Sequence, residues 1–237
     1  MPEMFSASRA TRMMQCHASA NLELAIPGWE PPVVDPDKEN AANHGTHIHE
    51  LFAKAMELKA KDLKKFSEAT MYIAELRSRR RFQVLIEEPV DVNWLPSKPR
   101  TTADLVLYVQ DEIHVIDLKT GKIPVYAVDN AQLLYYAASY GHLAPKAKGV
   151  HLHIVQPWAD VMESWFADVS TIARFMTDAI NTDKAISAGS THFSPGDGCQ
   201  FCPANPHSRG LKGRPMCPAM MQLLYPPLID EAEILGG

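Results

Sequence analysis

The spacing of apolar residues along this chain changes several times, and each change marks an element. His49, Phe52, Ala53, Met56 and Ala60 follow a three-to-four spacing, with no Pro or Gly after Gly45. That spacing predicts a helical region over 43–80, its later helix running from about 61 to 81. Phe82–Val92 (FQVLIEEPVDV) predicts one strand, and Trp94–Arg100 a Pro-broken turn. Two β-rich runs, Ala103–Val109 and Glu112–Leu118, are separated only by Gln110-Asp111 and predict a hairpin. Asn130–Tyr140 returns to helical spacing and ends at Gly141. Gly149–Gln156 puts Val150, Leu152 and Ile154 on one face of a strand, with Val161–Ala167 as its partner. Val169–Ser187 predicts a long amphipathic helix. Residues 1–43 predict a short helix and then a Pro-rich irregular loop, and the tail from Gly189 onward is Gly-, Pro- and Cys-rich. The order predicts an α/β fold, a mixed central sheet flanked by helices. It is read as a single domain over 1–237, with its core at about 43–187 and its two ends, 6–20 and 189–220, joined at a four-cysteine site.

Composition narrows the class. The 237 residues are 46% apolar and 22% charged, which is an ordinary globular balance. With 28 acidic against 23 basic residues the net charge is −5, which excludes a uniformly basic nucleic-acid coat but leaves room for a local basic track. No apolar run reaches the roughly 18–20 residues of a membrane span, and the N-terminus lacks a signal-peptide pattern, so the expectation is a cytoplasmic protein with no membrane partner. Basic residues gather at Lys59, Lys61, Lys64 and Lys65, at Arg77, Arg79, Arg80 and Arg81, and at Arg209, Lys212 and Arg214. They read equally as solvated surface or as a phosphate track.

There are four cysteines, Cys16, Cys199, Cys202 and Cys217. Cys199-Gln-Phe-Cys202 is the close pair that lets two thiolates turn toward one ion. A chain this long builds a core without disulfides. The four together add up to one four-thiolate site, which suits either a tetrahedral Zn²⁺ or a [4Fe–4S] cluster.

The chemistry signal is Asp104 followed by Asp117-Leu118-Lys119. On a strand, positions i and i+2 share a face, so Asp117 and Lys119 point into one space while Leu118 points into the core. The same acid-x-Lys spacing at Glu57–Lys59 and Asp62–Lys64 falls in the helical region, where i and i+2 diverge. Two aspartates suit a hard cation such as Mg²⁺, and a partly desolvated lysine can orient water. These are the parts of metal-assisted phosphodiester hydrolysis. A surface ion pair is the plain alternative.

Gly45-Thr-His-Ile-His49 precedes this pair, and Gln132-Leu-Leu-Tyr-Tyr136 follows it. The ordered set (GxxxH, Asp, DxK, QxxxY) resembles the RecB-like exonuclease branch of the PD-(D/E)XK nucleases. One early and three late cysteines are similar to its iron–sulfur members. Ser6–Cys16, Thr102-Ala103-Asp104 and Asp129-Asn130-Ala131-Gln132-Leu133 resemble phage-encoded members in particular. The resemblance covers about residues 6–220. It implies a restriction-endonuclease-like core and a metal-dependent DNA exonuclease of phage recombination or replication, working on linear single- or double-stranded ends with a recombination or replication protein as partner. It implies His49, Asp104 and Asp117 as ligands of Mg²⁺ or Mn²⁺, with Glu87 a further candidate. Lys119 becomes the catalytic lysine, and Gln132 and Tyr136 position the DNA strand or the active-site residues. Cys16, Cys199, Cys202 and Cys217 would hold a [4Fe–4S] cluster, although the wide Cys202–Cys217 gap keeps zinc open. A non-catalytic DNA-binding or scaffold subunit with the same fold is the competing expectation. His44 and His47 are read as solvated. Tyr135, Tyr136 and Tyr140 are candidates for stacking on bases, with core packing favoured for Tyr135 and Tyr140.

Overall fold

The computed structural model describes residues 4–30, 48–54, 56, 68–205 and 216–224. His44, His47, most of the lysine-rich stretch and the basic residues Arg209, Lys212 and Arg214 lie outside them. The chain divides into two compact units. One comprises Met1–Phe5, Thr11–Val34 and Lys184–Gly237, the other Ser6–Ala10 and Asp35–Asp183.

The larger unit is built on a five-stranded mixed sheet ordered β1-β4-β5-β6-β7, with a two-stranded ribbon β2-β3. The strands are β1 Gln83–Ile86, β2 Pro89–Asp91, β3 Arg100–Thr102, β4 Leu105–Val109, β5 Glu112–Leu118, β6 Gly149–Gln156 and β7 Val161–Asp168. Among the described residues only β5 and β6 run parallel. A parallel pair needs a crossover, and the helix Ala131–Tyr140 lies in the chain between these two strands. Asn130 caps that helix by accepting from the amides of Gln132 and Leu133. β5 is buried along nearly its whole length, as expected for a central strand covered on both faces. The α/β class and the hairpin at Gln110-Asp111 follow the sequence pattern.

The expected single strand over Phe82–Val92 is instead two, β1 and β2, in different sheets. The break is at Glu87, whose φ of 46° is left-handed and cannot continue a pleated strand. Hydrophobic alternation alone carries no mark of that turn. One core lies under β1, β4 and β5, where Leu105, Leu107, Ile116 and Leu118 meet Phe52, Met56 and Ile73 from helical segments. Phe52 and Ile73 belong to the helical stretch 48–54 and to the helix Glu68–Arg79. Val169–Ser187 is helical as the spacing predicts.

The smaller unit has its own core of Ile26, Trp29, Ala204 and Cys217. Its early and late segments are bonded to each other. Ala18 N donates to His192 O at 3.0 Å, and Asn21 Nδ2 donates to the carbonyls of Ile186 and Ser190. The expected loop around the cysteines contains a 3₁₀ turn at Asp197–Phe201 and a short helix at Pro218–Leu224.

Candidate functional site

The site of the larger unit forms where three strand ends meet. In the β4–β5 ladder Leu105 pairs with Ile116, so the next rung places Asp104 opposite Asp117, and opposite residues share a face. Lys119 follows two residues later on that face, its backbone N–H still bonded to Val155 O of β6 at 2.9 Å. Glu87, just past β1, donates its N–H to Asp104 O at 3.1 Å. The stretch 48–54 brings His49, and the helix Ala131–Tyr140 brings Gln132 and Tyr136, four residues apart and hence on one face.

Each carboxylate has separate partners. Asp104 Oδ2 accepts from Leu118 N at 2.7 Å, while Oδ1 lies 3.1 Å from His49 Nδ1. Asp117 Oδ1 accepts from Gln132 Nε2 at 2.9 Å. Its Oδ2 faces the Lys119 ammonium at 2.8 Å, an ion contact without an aligned hydrogen bond, and is otherwise unpartnered and buried. Lys119 Nζ donates to Gln132 Oε1 at 2.7 Å, and Gln132 Nε2 also reaches Tyr136 Oη at 3.0 Å. Gln132 therefore ties Asp117, Lys119 and Tyr136 into one network.

Electrostatics follow from burial and crowding. Burial pushes the Asp117 carboxyl up to about 6, against the opposing pull of Lys119 and with a further push from Asp104. The hydrogen bond that His49 donates to Asp104 raises the imidazole above 6.5 despite partial burial, and the charges of Asp104, Asp117 and Glu87 add to it. Tyr136 is raised far above the usual tyrosine range, chiefly by burial. It acts as a neutral hydroxyl at any ordinary pH.

A divalent cation suits these residues. Ligand atoms of His49, Glu87 and Asp104 lie within 4.8 Å of one another, and Asp117 Oδ2 is a buried anionic oxygen with a free lone pair. The tyrosines do not offer themselves for stacking on bases. Tyr135 and Tyr140 are fully buried and Tyr136 is 5% exposed. Core packing takes all three rings, because the helix that carries them is covered by the sheet.

Two supporting residues carry no sequence signal. Tyr140 Oη accepts from Ala103 N and donates to Glu88 O, fixing the backbone that precedes Asp104 and follows Glu87. Gln156 is buried at the end of β6 and clamps the connection after Lys119. Its Nε2 donates to the carbonyls of Gly121 and Ile123, and its Oε1 accepts from Val125 N. Both act through side-chain-to-backbone bonds between distant segments, which no local spacing reveals. Of the arginine run, Arg79 pairs with Glu75, Arg80 with Glu112, and Arg77 donates to Met56 O. Arg79–Glu75 is local to its helix, and the other two tie the run to the body of the larger unit.

In the smaller unit all four cysteines line one cavity, with Arg12, Gln15 and Ser194 among its other walls. None of the four is in a disulfide. Backbone amides point at two of the sulfurs, Ser194 N at Cys16 Sγ (3.5 Å) and Gly196 N at Cys199 Sγ (3.3 Å). Burial pushes the Cys202 and Cys217 thiols up, so their thiolates need a cation to compensate. Gly198 is required by close approach, since a Cβ there would stand 2.8 Å from Arg12 Cα. The cavity thus suits a thiolate-bound metal centre.

The fold and the site define a mixed α/β protein with an acidic, lysine-bearing cluster at its strand ends and a cavity lined by four cysteines. The chain belongs to the family described as "Protein of unknown function (DUF2800)", which matches residues 61–235. No curated protein matches the sequence significantly. Among solved structures the chain is similar to a "Putative exonuclease" from Eubacterium rectale, at 12% identity over 94% of each chain with a TM-score of 0.47. It is also similar to SSO0001, at 11% identity over 89% of this chain and 88% of that one, with a TM-score of 0.41. Among the described residues no helix is long and apolar enough to cross a membrane.

Proposed function

We propose that the chain is a divalent-metal-dependent deoxyribonuclease, an exonuclease that hydrolyses phosphodiester bonds at linear DNA ends in phage recombination or replication. The observation that carries this reading is the rung that sets Asp104 opposite Asp117, with the Lys119 ammonium 2.8 Å from Asp117 and bonded to Gln132. A surface ion pair has no use for a fully buried aspartate or for a glutamine that grips both partners.

His49, Asp104, Asp117 and Glu87 would hold Mg²⁺ or Mn²⁺. When bound, that ion supplies Lewis acidity and lowers the pKa of water. Lys119 spends one N–H on Gln132, which fixes Nζ and leaves donors for water or for a phosphate oxygen. Gln132 and Tyr136 are positioning residues, because their bonds go to Asp117, to Lys119 and to each other. Asp104 holds its orientation through Leu118 N, so the two carboxylates keep their spacing as substrate enters.

DNA is the substrate that suits the margin of this pocket. Between Lys119 and Gln132 the connection exposes Ile123, Tyr126 and Val128, each more than half exposed, on a backbone clamped by Gln156. Fixed apolar side chains beside a phosphate-cleaving centre suit nucleobases, which offer a π-face whatever their sequence. In the cysteine cavity a [4Fe–4S] cluster would serve as a structural clasp, with zinc as the alternative occupant.

The test is degradation of linear against covalently closed DNA, single- and double-stranded, with Mg²⁺ or Mn²⁺ and with a chelator. Metal-dependent loss of linear substrate alone supports the reading. Intact DNA under every condition returns the chain to a binding or scaffold role.

A further inference from the structure

A second group of ligand-type side chains lies on the same sheet, away from Asp104 and Asp117. His114 of β5 and His151 of β6 are direct partners in the parallel ladder, and Phe166 of β7 pairs with His151. Glu112 opens β5 two residues before His114, on the same face. One ligand atom from each of Glu112, His114 and His151 lies within 4.8 Å of the other two. We propose that Glu112, His114 and His151 form a second metal site, a two-histidine, one-carboxylate centre for Zn²⁺ or a similar borderline transition metal.

The donor set is the first argument. Two imidazoles and a carboxylate suit zinc at ~2.0–2.2 Å, with a fourth position left open. That position would face an open depression lined by Arg80, Asp111, Glu112, Lys148, His151 and Phe166, where water can enter.

The outer contacts are the second argument, since ligands of a metal are themselves held from behind. Arg80 binds Glu112 Oε2 at 2.6 Å, which leaves Oε1 directed at His114 Nε2, 2.9 Å away. His114 Nδ1 meets His153 Nε2 at 2.9 Å, and His153 Nδ1 meets Tyr72 Oη at 2.9 Å. Without metal, the proton on His114 Nε2 bridges to Glu112, and Tyr72 donates into the far end of the chain. With metal on Nε2, each of His114 and His153 carries its proton on the other nitrogen, and Tyr72 turns from donor to acceptor. The number of protons is unchanged, so no buried group has to be charged. The His114 and His151 rings are stacked at 4.6 Å and 15°. Parallel lone pairs do not converge, so His151, the half-buried member, must tilt on binding.

Full-length protein treated with chelator is titrated with Zn²⁺ against a chromophoric competitor, and with Co²⁺ as a spectroscopic probe. Glu112→Gln and His151→Gln are each expected to bind one equivalent fewer than the wild type. The lost equivalent should show tetrahedral cobalt bands without thiolate charge transfer. Arg80→Gln removes no ligand and should keep the stoichiometry while weakening zinc binding by about 10–100-fold. Equal stoichiometry in all four proteins overturns the proposal. So does a lost equivalent with thiolate bands, which would belong to the cysteine cavity. Neither result bears on DNA cleavage, so this proposal and the nuclease reading fail separately.

Discussion

Asp104 and Asp117 face each other on one rung at the end of the β4–β5 ladder, yet they are held by different partners. Asp104 is held by the β5 backbone at Leu118 and by His49, while Asp117 is held by Gln132 and Lys119. The Asp104 charge adds to the burial that raises the Asp117 carboxyl, and the Lys119 ammonium opposes both. The polar groups around the pair therefore set both its spacing and its charge.

Removing Gln132 should separate chemistry from binding. Gln132→Leu leaves Lys119 Nζ with its ion contact to Asp117 but without its hydrogen-bond acceptor, and takes a donor from Asp117 Oδ1. We expect kcat on linear DNA to fall about 10–100-fold, as for a lost orienting contact, with KM changed little. A rise in KM with kcat intact would make Gln132 a DNA contact instead.

The raised carboxyl of Asp117 makes a statement about stability. Its folded value, about 6, lies above the ordinary 3.8, so the folded state binds a proton more readily than the unfolded chain. That contribution is complete below 3.8 and is lost as pH rises through about 6. In metal-free protein, Asp117→Asn should therefore stabilise at pH 8 by about 3 kcal/mol, and by well under about 1 kcal/mol at pH 4. Adding Mn²⁺ should raise the melting temperature of the wild type only. Denaturant titrations at the two pH values check the first point, and an equal gain at both would refute it.

The histidine chain works with the opposite sign. Burial, helped by His114 and His151, pushes His153 down to about 3, so the folded state keeps this ring neutral. Stability from that ring is present above 6.5 and is lost as pH falls toward 3. Between pH 7 and pH 5 the protein should lose about 2 kcal/mol on this account. His153→Gln should flatten the slope, and an unchanged acid limb in urea unfolding would show that the ring is not responsible.

The cysteine cavity predicts a colour. Protein purified without oxygen should be brown, and Cys202→Ser should bleach it and lower the melting temperature. Colourless wild-type protein with one zinc that Cys202→Ser loses would replace the cluster with zinc and leave the nuclease reading untouched.

Local rules made part of this legible in the sequence. The i, i+2 spacing of Asp117 and Lys119 and the i, i+4 spacing of Gln132 and Tyr136 each put their side chains on one face, and the structure brings all four together. Cysteine spacing likewise gathered four thiols at one cavity. What stayed hidden depends on contacts between distant segments. The left-handed turn at Glu87 splits a continuous β pattern, and Tyr140 and Gln156 act on backbone far along the chain. His114 and His151 meet only through a parallel register that no alternation specifies.

Apolar contact beside the pocket is also measurable. Tyr126→Ala removes an exposed ring without touching the metal or the lysine. If bases rest on it, KM for DNA should rise about 5–50-fold, the cost of one lost stacking contact, at constant kcat. Constant KM would remove the connection from the DNA path.

The central claim is that Lys119 and Asp117 break a phosphodiester bond together with a divalent cation. Single-turnover cleavage of an end-labelled linear duplex in Mn²⁺ tests it most directly, comparing the wild type with Lys119→Ala and Asp117→Ala. The account predicts cleavage by the wild type and at least about a thousandfold loss in each variant, with the fold retained by circular dichroism. Wild-type rates in either variant, with the cation present, would contradict it.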